Sequence, residues 1–352
     1  MRKLTGALAA AALATVVAAG PASGASNDPY FGKQWGLQKI QADQAWAAAD
    51  GTGAIIAIVD TGVDLGHEDL SSKIINNSDA DFSEPDGECK KAPGKNGART
   101  CTQDGAQDEN GHGTHVAGIA AALTGNGIGV AGTAPGAQIL PVRVLDAEGS
   151  GSTDEVAAGI RYAADHGADV INLSLGFLTG LGEVVNLVGG LDPVHDAIAH
   201  ANSMGSVVVI AAGNDGAPVC AEPSAASGVL CVGATDRNDL RSWYSNGDAT
   251  QMKNYLVAPG GEGLTCAGDI FSTYLRTERT YCSDEAGYEG LSGTSMATPF
   301  VSGVAGLLAG KGLSNSQIIS CILGTTDDLG TPGRDSIYGY GRVNALKAVT
   351  SC

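Results

Sequence analysis

The chain has 352 residues and a formal net charge of −18, with 43% hydrophobic and 16% charged residues. That length allows one large domain or two modest ones, and the apolar share excludes a disordered chain. The acidic balance argues against binding nucleic acid or anionic lipid, since both demand Lys and Arg.

In chain order, Arg2 and Lys3 precede an apolar run over 4–19, followed by Gly20, Pro21 and small residues to Ala25. That is the n-, h- and c-region order of a secretory signal peptide, with cleavage expected after Gly24 or Ala25. A membrane anchor is the competing reading, but the run is short and rich in Ala. No other stretch approaches the ~20 apolar residues of a transmembrane helix. Losing Arg2 and Lys3 with this leader takes the charge from −18 to −20. The expected product is a secreted, extracellular chain free of the membrane.

Short apolar runs rich in β-branched residues follow at 53–59, 138–145, 168–175, 206–212, 229–234 and 255–258. Near-continuous apolar runs suit parallel strands covered on both faces. Helix starts stand between them: capping boxes at Ser152-Thr-Asp-Glu155 and Ser314-Asn-Ser-Gln317, and an N-cap with proline at Asp192-Pro193. The alternation predicts an α/β fold: a doubly wound, mostly parallel central sheet flanked by helices, in a single domain. Residues 78–110 read as a polar surface loop.

Eight cysteines lie beyond the leader, with no C-x-x-C pair. An even count in a secreted chain suggests disulfides, although on the order of a hundred pairings are formally open. Sequential pairing, Cys89–Cys101, Cys220–Cys231, Cys266–Cys282 and Cys321–Cys352, is expected because each bridge would brace one local segment.

Three segments carry chemistry. Ile58-Val-Asp60-Thr-Gly places an aspartate at the carboxyl end of a strand, where open parallel sheets bind ligands; a turn or capping role reads equally well. Asn110-Gly-His112-Gly-Thr-His115-Val-Ala-Gly118 places His112 at a helix start between glycines that admit another chain. His112 and His115 are three apart, but a zinc site lacks a third ligand on this helix, so His115 reads as a packed or capping residue. Leu291-Ser-Gly-Thr-Ser295-Met-Ala-Thr-Pro299 puts Ser295 where a loop enters an apolar helix, whose terminal N–H groups can stabilise an oxyanion. Pro299 lacks the N–H that would bond the Ser295 carbonyl. Taken alone, Ser295 reads as a mere N-cap.

Together the three supply a base-orienting carboxylate, a base and a nucleophile in the order Asp, His, Ser. At this point the sequence resembles the subtilisin family of secreted serine proteases, its thermitase-like branch in particular, from about residue 27 to 349. The matching pieces are Asp60-Thr-Gly, His112-Gly-Thr-His-Val-Ala-Gly and Gly293-Thr-Ser-Met-Ala-Thr-Pro, with Ser174-Leu-Gly176 and Ala211-Ala-Gly-Asn214 between them. Gly127-x-Gly-x-x-Gly132 lacks a preceding strand and is no dinucleotide site.

The resemblance implies a serine endopeptidase working through an acyl-enzyme, with Asp60, His112 and Ser295 as triad and Asn214 as oxyanion donor. It implies no catalytic cofactor. It makes Ser174, Leu175, Gly176 and Ala211, Ala212, Gly213 the walls of the primary specificity pocket, and places Gly149 and Gly151 on the other edge of the cleft. Small apolar walls suggest broad specificity with a preference for large hydrophobic P1 side chains. Asp215 or Glu222 at the rim reads either as an aid to basic P1 or as a solvated loop charge. The resemblance also suggests a structural Ca²⁺ held by Asp28, Asp69, Asn126 and the carbonyls of Leu123, Ile128 and Val130, the hard oxygen ligands that calcium takes. A second site among Asp104, Asp108 and Glu109 is the weaker expectation.

The domain is expected to span 26–352 with no evident propeptide, and to act as a monomer on protein or peptide substrates. Segments 177–191 and 265–289 are insertions expected to flank the cleft. A catalytically silent binding protein of the same fold is the main rival. A secreted esterase would need Gly-x-Ser-x-Gly, and Ala297 stands where its second glycine belongs.

Overall fold

The apolar runs become strands because both faces of each are covered. The computed structural model describes residues 26–75, 80–83, 90–91, 99–100, 105–176, 192–224, 226–249, 254–283 and 285–352. Two short helices, α1 (Trp35–Lys39) and α2 (Ala42–Ala45), lead into β1 (Ile55–Asp60). A small ribbon of β2 (Lys90–Lys91) and β3 (Arg99–Thr100) precedes α3 (His112–Ala121). Then strands and helices alternate: β4 (Gln138–Arg143), α4 (Thr153–Asp165), β5 (Val170–Leu173), α5 (Asp192–Met204) and β6 (Val207–Ala211). β7 (Val229–Thr235), β8 (Tyr255–Pro259), β9 (Ile270–Thr273) and β10 (Tyr288–Leu291) follow. Three helices close the chain: α6 (Thr294–Gly310), α7 (Asn315–Gly324) and α8 (Ala345–Ser351).

The central sheet has the order β4-β1-β5-β6-β7-β8, and every neighbouring pair is parallel. Along β1, Ile56 and Ile58 face one core with α3 and α6, while Ala57 and Val59 face a second core with α4 and α5. β4 lies on one side of β1 and β5 on the other, so the winding reverses at β1. Such a switch point opens a crevice beyond the carboxyl ends of the strands. Asp60 ends β1 there.

The predicted strands match within two residues at each end; 168–175 is strand over Val170–Leu173. The Ser152 capping box forms, with Ser152 N donating to Glu155 Oε2 and Glu155 N to Ser152 Oγ at 3.3 Å. The one at Ser314 forms as well. Three of the four expected disulfides are present: Cys220–Cys231, Cys266–Cys282 and Cys321–Cys352. Cys89 and Cys101, the leader 1–25 and the insertion 177–191 lie outside the described residues. Among the described residues no helix is long and apolar enough to cross a membrane.

The insertion 265–289 proves to be more than decoration at the rim. Its first part forms β9, which pairs antiparallel with β10, Ile270 opposite Leu291. β10 then runs directly into α6 and Ser295.

Candidate active site

Asp60 is fully buried. Its Oδ1 accepts from Thr61 N at 2.8 Å and lies 2.7 Å from His112 Nδ1. Its Oδ2 is buried with no hydrogen-bond partner. Burial works against the charged imidazole of His112, but the charge and hydrogen bond of Asp60, helped by the charge of Asp108, outweigh it and raise its pKa.

The histidine is aimed by the way α3 begins. Gly111, at φ +99°, makes the turn into the helix. Asp108 caps the helix from four residues upstream. Its Oδ1 accepts from Asn110 N (2.9 Å) and Gly111 N (3.0 Å), and its Oδ2 from Thr114 N (3.0 Å) and Thr114 Oγ1 (2.6 Å). A carboxylate at a helix N-terminus also meets the positive end of the dipole. Gly113 settles on the Asp60 loop: its N–H donates to Thr61 Oγ1, and a Cβ there would stand 2.1 Å from the Gly62 carbonyl oxygen.

Ser295 sits in the first turn of α6. Pro299 leaves its carbonyl without the helical partner, and Ser174 Oγ donates to that carbonyl instead, at 2.8 Å. Ser174 Oγ accepts from Asn172 Nδ2 (2.9 Å), and Asn172 Oδ1 accepts from Ser302 Oγ (2.8 Å). All three are buried. Ser174 therefore fixes the backbone of Ser295, whereas the sequence reading had it only as a pocket wall.

Asn214 lies in the loop after β6. Its Oδ1 accepts from Thr294 N (2.9 Å) and Thr294 Oγ1 (3.0 Å), which leaves Nδ2 as the free end of the amide. A Cβ built at Gly293 would lie 3.5 Å from Asn214 Nδ2 and 3.6 Å from Ser295 N, so both N–H groups border one space. The buried Asn246 holds the Asn214 loop. Its Oδ1 accepts from Asp215 N (3.0 Å) and Ala217 N (2.9 Å), and its Nδ2 donates to Ala212 O (2.9 Å).

The expected pocket walls are neighbours because β5 pairs with β6, Leu173 opposite Ile210. Ser174, Leu175 and Gly176 leave one strand end and Ala211, Ala212 and Gly213 the other. Gly176 is exposed, with open space where a side chain would be. The loop bearing Gly149 and Gly151 is tied to the start of α3, since Asn110 Nδ2 donates to Ala147 O at 2.8 Å. Of the two rim acids, Asp215 is exposed, while Glu222 faces His195 at 3.4 Å.

The structure ties the 123–130 loop to Asp28 and Asp69. Asp28 accepts from Gly125 N (2.8 Å) and Gly127 N (3.1 Å). Asp69 accepts from Asn126 Nδ2 (2.8 Å), Val130 N (2.9 Å) and Tyr288 OH (3.1 Å), and its own carbonyl accepts from Leu123 N (2.9 Å). Asn126 Oδ1 caps Ile128 N. Burial raises the pKa of Asp69, against its hydrogen bonds. Two buried carboxylates thus gather one glycine-rich loop. Their carboxylate oxygens are of the kind a hard cation takes, while the Asn126 amide presents its nitrogen to Asp69.

Other candidates fall away. Among the described residues no group of three or more His, Cys, Asp or Glu is placed to hold a metal ion. His115 is buried, with Nε2 3.1 Å from Glu289 O, and burial pushes its pKa down to about 3. Of the second calcium expectation, Asp104 lies outside the described residues, Asp108 caps α3, and Glu109 Oε2 accepts from Arg143 Nη2 at 2.9 Å. Sequence reasoning missed Asn172, Asn246 and the capping role of Asp108. An aspartate two residues ahead of Asn110-Gly111 at a helix start is a usable signal for Asp108. The two asparagines lie inside an apolar strand and a polar loop, and nothing local marks them.

A doubly wound parallel sheet with an Asp–His pair at its switch point is an arrangement that hydrolases use. Comparison with known proteins carries this further. Residues 51–341 match the subtilase family of peptidases. The chain is 47% identical to thermitase of Thermoactinomyces vulgaris, over 92% of this chain and 98% of that protein. It is 36% identical to subtilisin Savinase of Lederbergia lenta, over 89% and 97%. Among solved structures, a protease from Pseudoalteromonas arctica superposes with a TM-score of 0.75 at 32% identity, covering 93% of this chain and 99% of that one. The chain belongs to the subtilase family and is a serine endopeptidase.

Proposed function

We propose that peptide bonds are hydrolysed through Asp60, His112 and Ser295, with an oxyanion site formed by Asn214 Nδ2 and the backbone N–H of Ser295. The observation that supports this best is the 2.7 Å contact of His112 Nδ1 with Asp60 Oδ1 at the switch point. It holds the imidazole with Nε2 available as base. His112 takes the proton of the Ser295 hydroxyl as that oxygen attacks the scissile carbonyl. The oxyanion forms between Asn214 and Ser295 N, whose fixed donors need no reorganisation. His112 then gives the proton to the leaving amine. Water then loses a proton to His112 as it attacks the acyl carbonyl, and His112 returns that proton to the Ser295 oxygen as the acid leaves. Asp60 stabilises the transient imidazolium throughout.

The substrate lies between the 174–176 and 211–213 walls, with Gly149 and Gly151 on the far edge. Extended walls pair with a substrate strand through backbone hydrogen bonds. The small, apolar lining favours large hydrophobic P1 groups within a broad specificity. Asp28, Asp69, Asn126 and the carbonyls of Leu123, Ile128 and Val130 would hold a structural Ca²⁺, which when bound would supply positive charge to offset two buried carboxylates. The leader 1–25 directs export, and the domain from 26 to 352 works outside the cell as a monomer.

Labelling with a fluorophosphonate tests the nucleophile. The protein should be modified at Ser295, and Ser295→Ala should escape labelling and lose casein hydrolysis while keeping its melting temperature. An inert wild-type protein would overturn the reading.

A further inference from the structure

We propose that Tyr274, on the disulfide-closed segment between β9 and β10, is a positioning residue for His112. It holds the two residues ahead of the histidine, so that the imidazole stays in line with Asp60. The inference rests on the reading of His112 as the base.

The Tyr274 hydroxyl donates to the Asn110 carbonyl at 3.1 Å. Its ring lies against Gly111: a Cβ there would stand 2.4 Å from both Cε2 and Cζ. Tyr274 thus grips residues 110 and 111, the two that aim residue 112. Asn110 in turn has every polar group engaged. Its N–H donates to Asp108, its Oδ1 accepts from His112 N at 3.2 Å, and its Nδ2 donates to Ala147 O on the cleft edge. Holding the Asn110 carbonyl therefore holds both the start of α3 and the neighbouring substrate edge.

Tyr274 is itself anchored, so the grip has something to pull against. Its N–H donates to Gly287 O at 2.6 Å. Two residues on, Arg276 N donates to Asp64 Oδ2 (3.1 Å), and Arg276 Nη1 donates to Gly66 O (2.9 Å). Asp64 and Gly66 belong to the loop that follows Asp60, and Asp64 N donates to Thr114 Oγ1 of α3. One segment, closed by Cys266–Cys282, therefore grips both the loop after Asp60 and the loop before His112. A displacement of about 1 Å at a catalytic group can lower the rate ~100-fold, which is the sensitivity such a brace guards against.

The charged and titratable groups around His112 are Asp60 from β1, Asp108 from the preceding loop and His115 one turn along α3. Burial raises the pKa of the Tyr274 hydroxyl, which favours its protonated, donating form.

The test is kinetic. Tyr274→Phe keeps the ring and removes the hydroxyl. Its kcat should fall about fivefold, the worth of one neutral hydrogen bond, with KM unchanged. The acid limb of its kcat/KM profile should move to lower pH, because a misaligned Asp60 supports the imidazolium less. Tyr274→Ala should lose about 100-fold in kcat. Tyr281→Ala, at a site 96% exposed on the same segment, should match wild type. If Tyr274→Ala does not fold, Tyr274→Phe decides alone. Wild-type kcat and an unmoved acid limb in Tyr274→Phe, with only the melting temperature lowered, would overturn the proposal. Fluorophosphonate labelling separates the two readings. A labelled wild type with an unaffected Tyr274→Phe sinks the positioning role alone, whereas an unlabelled wild type sinks both.

Discussion

The Ser174 hydroxyl donates to the Ser295 carbonyl at 2.8 Å, in the place that Pro299 leaves vacant in the helical ladder. The wall of the expected specificity pocket and the backbone of the expected nucleophile are one hydrogen-bonded unit. Ser174→Ala should therefore do more than reshape the pocket. Leaving a buried carbonyl unpaired should lower stability by ~1–3 kcal/mol. A thermal melt checks this, and kcat should fall in the same variant. A fall in KM-linked specificity with unchanged kcat would argue against the coupling.

Asn214→Ala removes the amide of the proposed oxyanion site. The expected loss is ~100- to 1,000-fold in kcat, or ~2.7–4 kcal/mol, with KM little changed. That magnitude is known from subtilisin itself and is carried over within the family. Asn246→Ala, which releases Ala212, Asp215 and Ala217 behind it, should lower both stability and kcat. Steady-state kinetics beside a melt separates the two variants.

The two histidines of α3 should respond to pH with opposite signs. His112 has a raised pKa, so the acid limb of kcat/KM should lie above the ~6.5 of a free imidazole. Stability from protonated His112 is fully present below its unfolded pKa and is lost as pH rises through the folded one. His115, held neutral with a pKa of about 3, contributes stability that is present above ~6.5 and lost as pH falls towards its folded pKa. His115→Gln should therefore flatten the acid side of a melting curve measured against pH. Asp60→Asn should lower the acid limb set by His112 and reduce kcat by about 10⁴-fold.

Chelation should expose the calcium site. In EDTA the melting temperature should fall below that in added Ca²⁺, by an amount reflecting ~2.7 kcal/mol at a hundredfold excess over Kd. Asp69→Asn should abolish the difference. Coincident curves for the wild-type protein would remove the site.

The sheet was legible because its strands are buried on both faces, and buried strands announce themselves as unbroken apolar runs. Ser152-Thr-Asp-Glu155 was legible for the opposite reason, since a capping box is wholly local. Asn172 and Asn246 were hidden because their partners are distant: Ser302 lies 130 residues from Asn172, and Asn246 Nδ2 bonds Ala212 O, 34 residues away. Ser174 was noticed for its motif but given only part of its role. The vacancy that it fills depends on Pro299, and only folding places the two side by side. Nothing local in 265–289 marks β9, which is only four residues long and pairs with a strand beyond the Cys266–Cys282 loop.

A peptidase can cut its own chain, and exposed loop tips are where nicking begins. The Cys220–Cys231 bridge spans eleven residues between the Asn214 loop and β7. A cut inside that interval leaves both new ends covalently joined to a strand of the central sheet. The bridge thus turns self-digestion at this loop from loss of a fragment into a tethered nick, beside the amide on which turnover is proposed to depend.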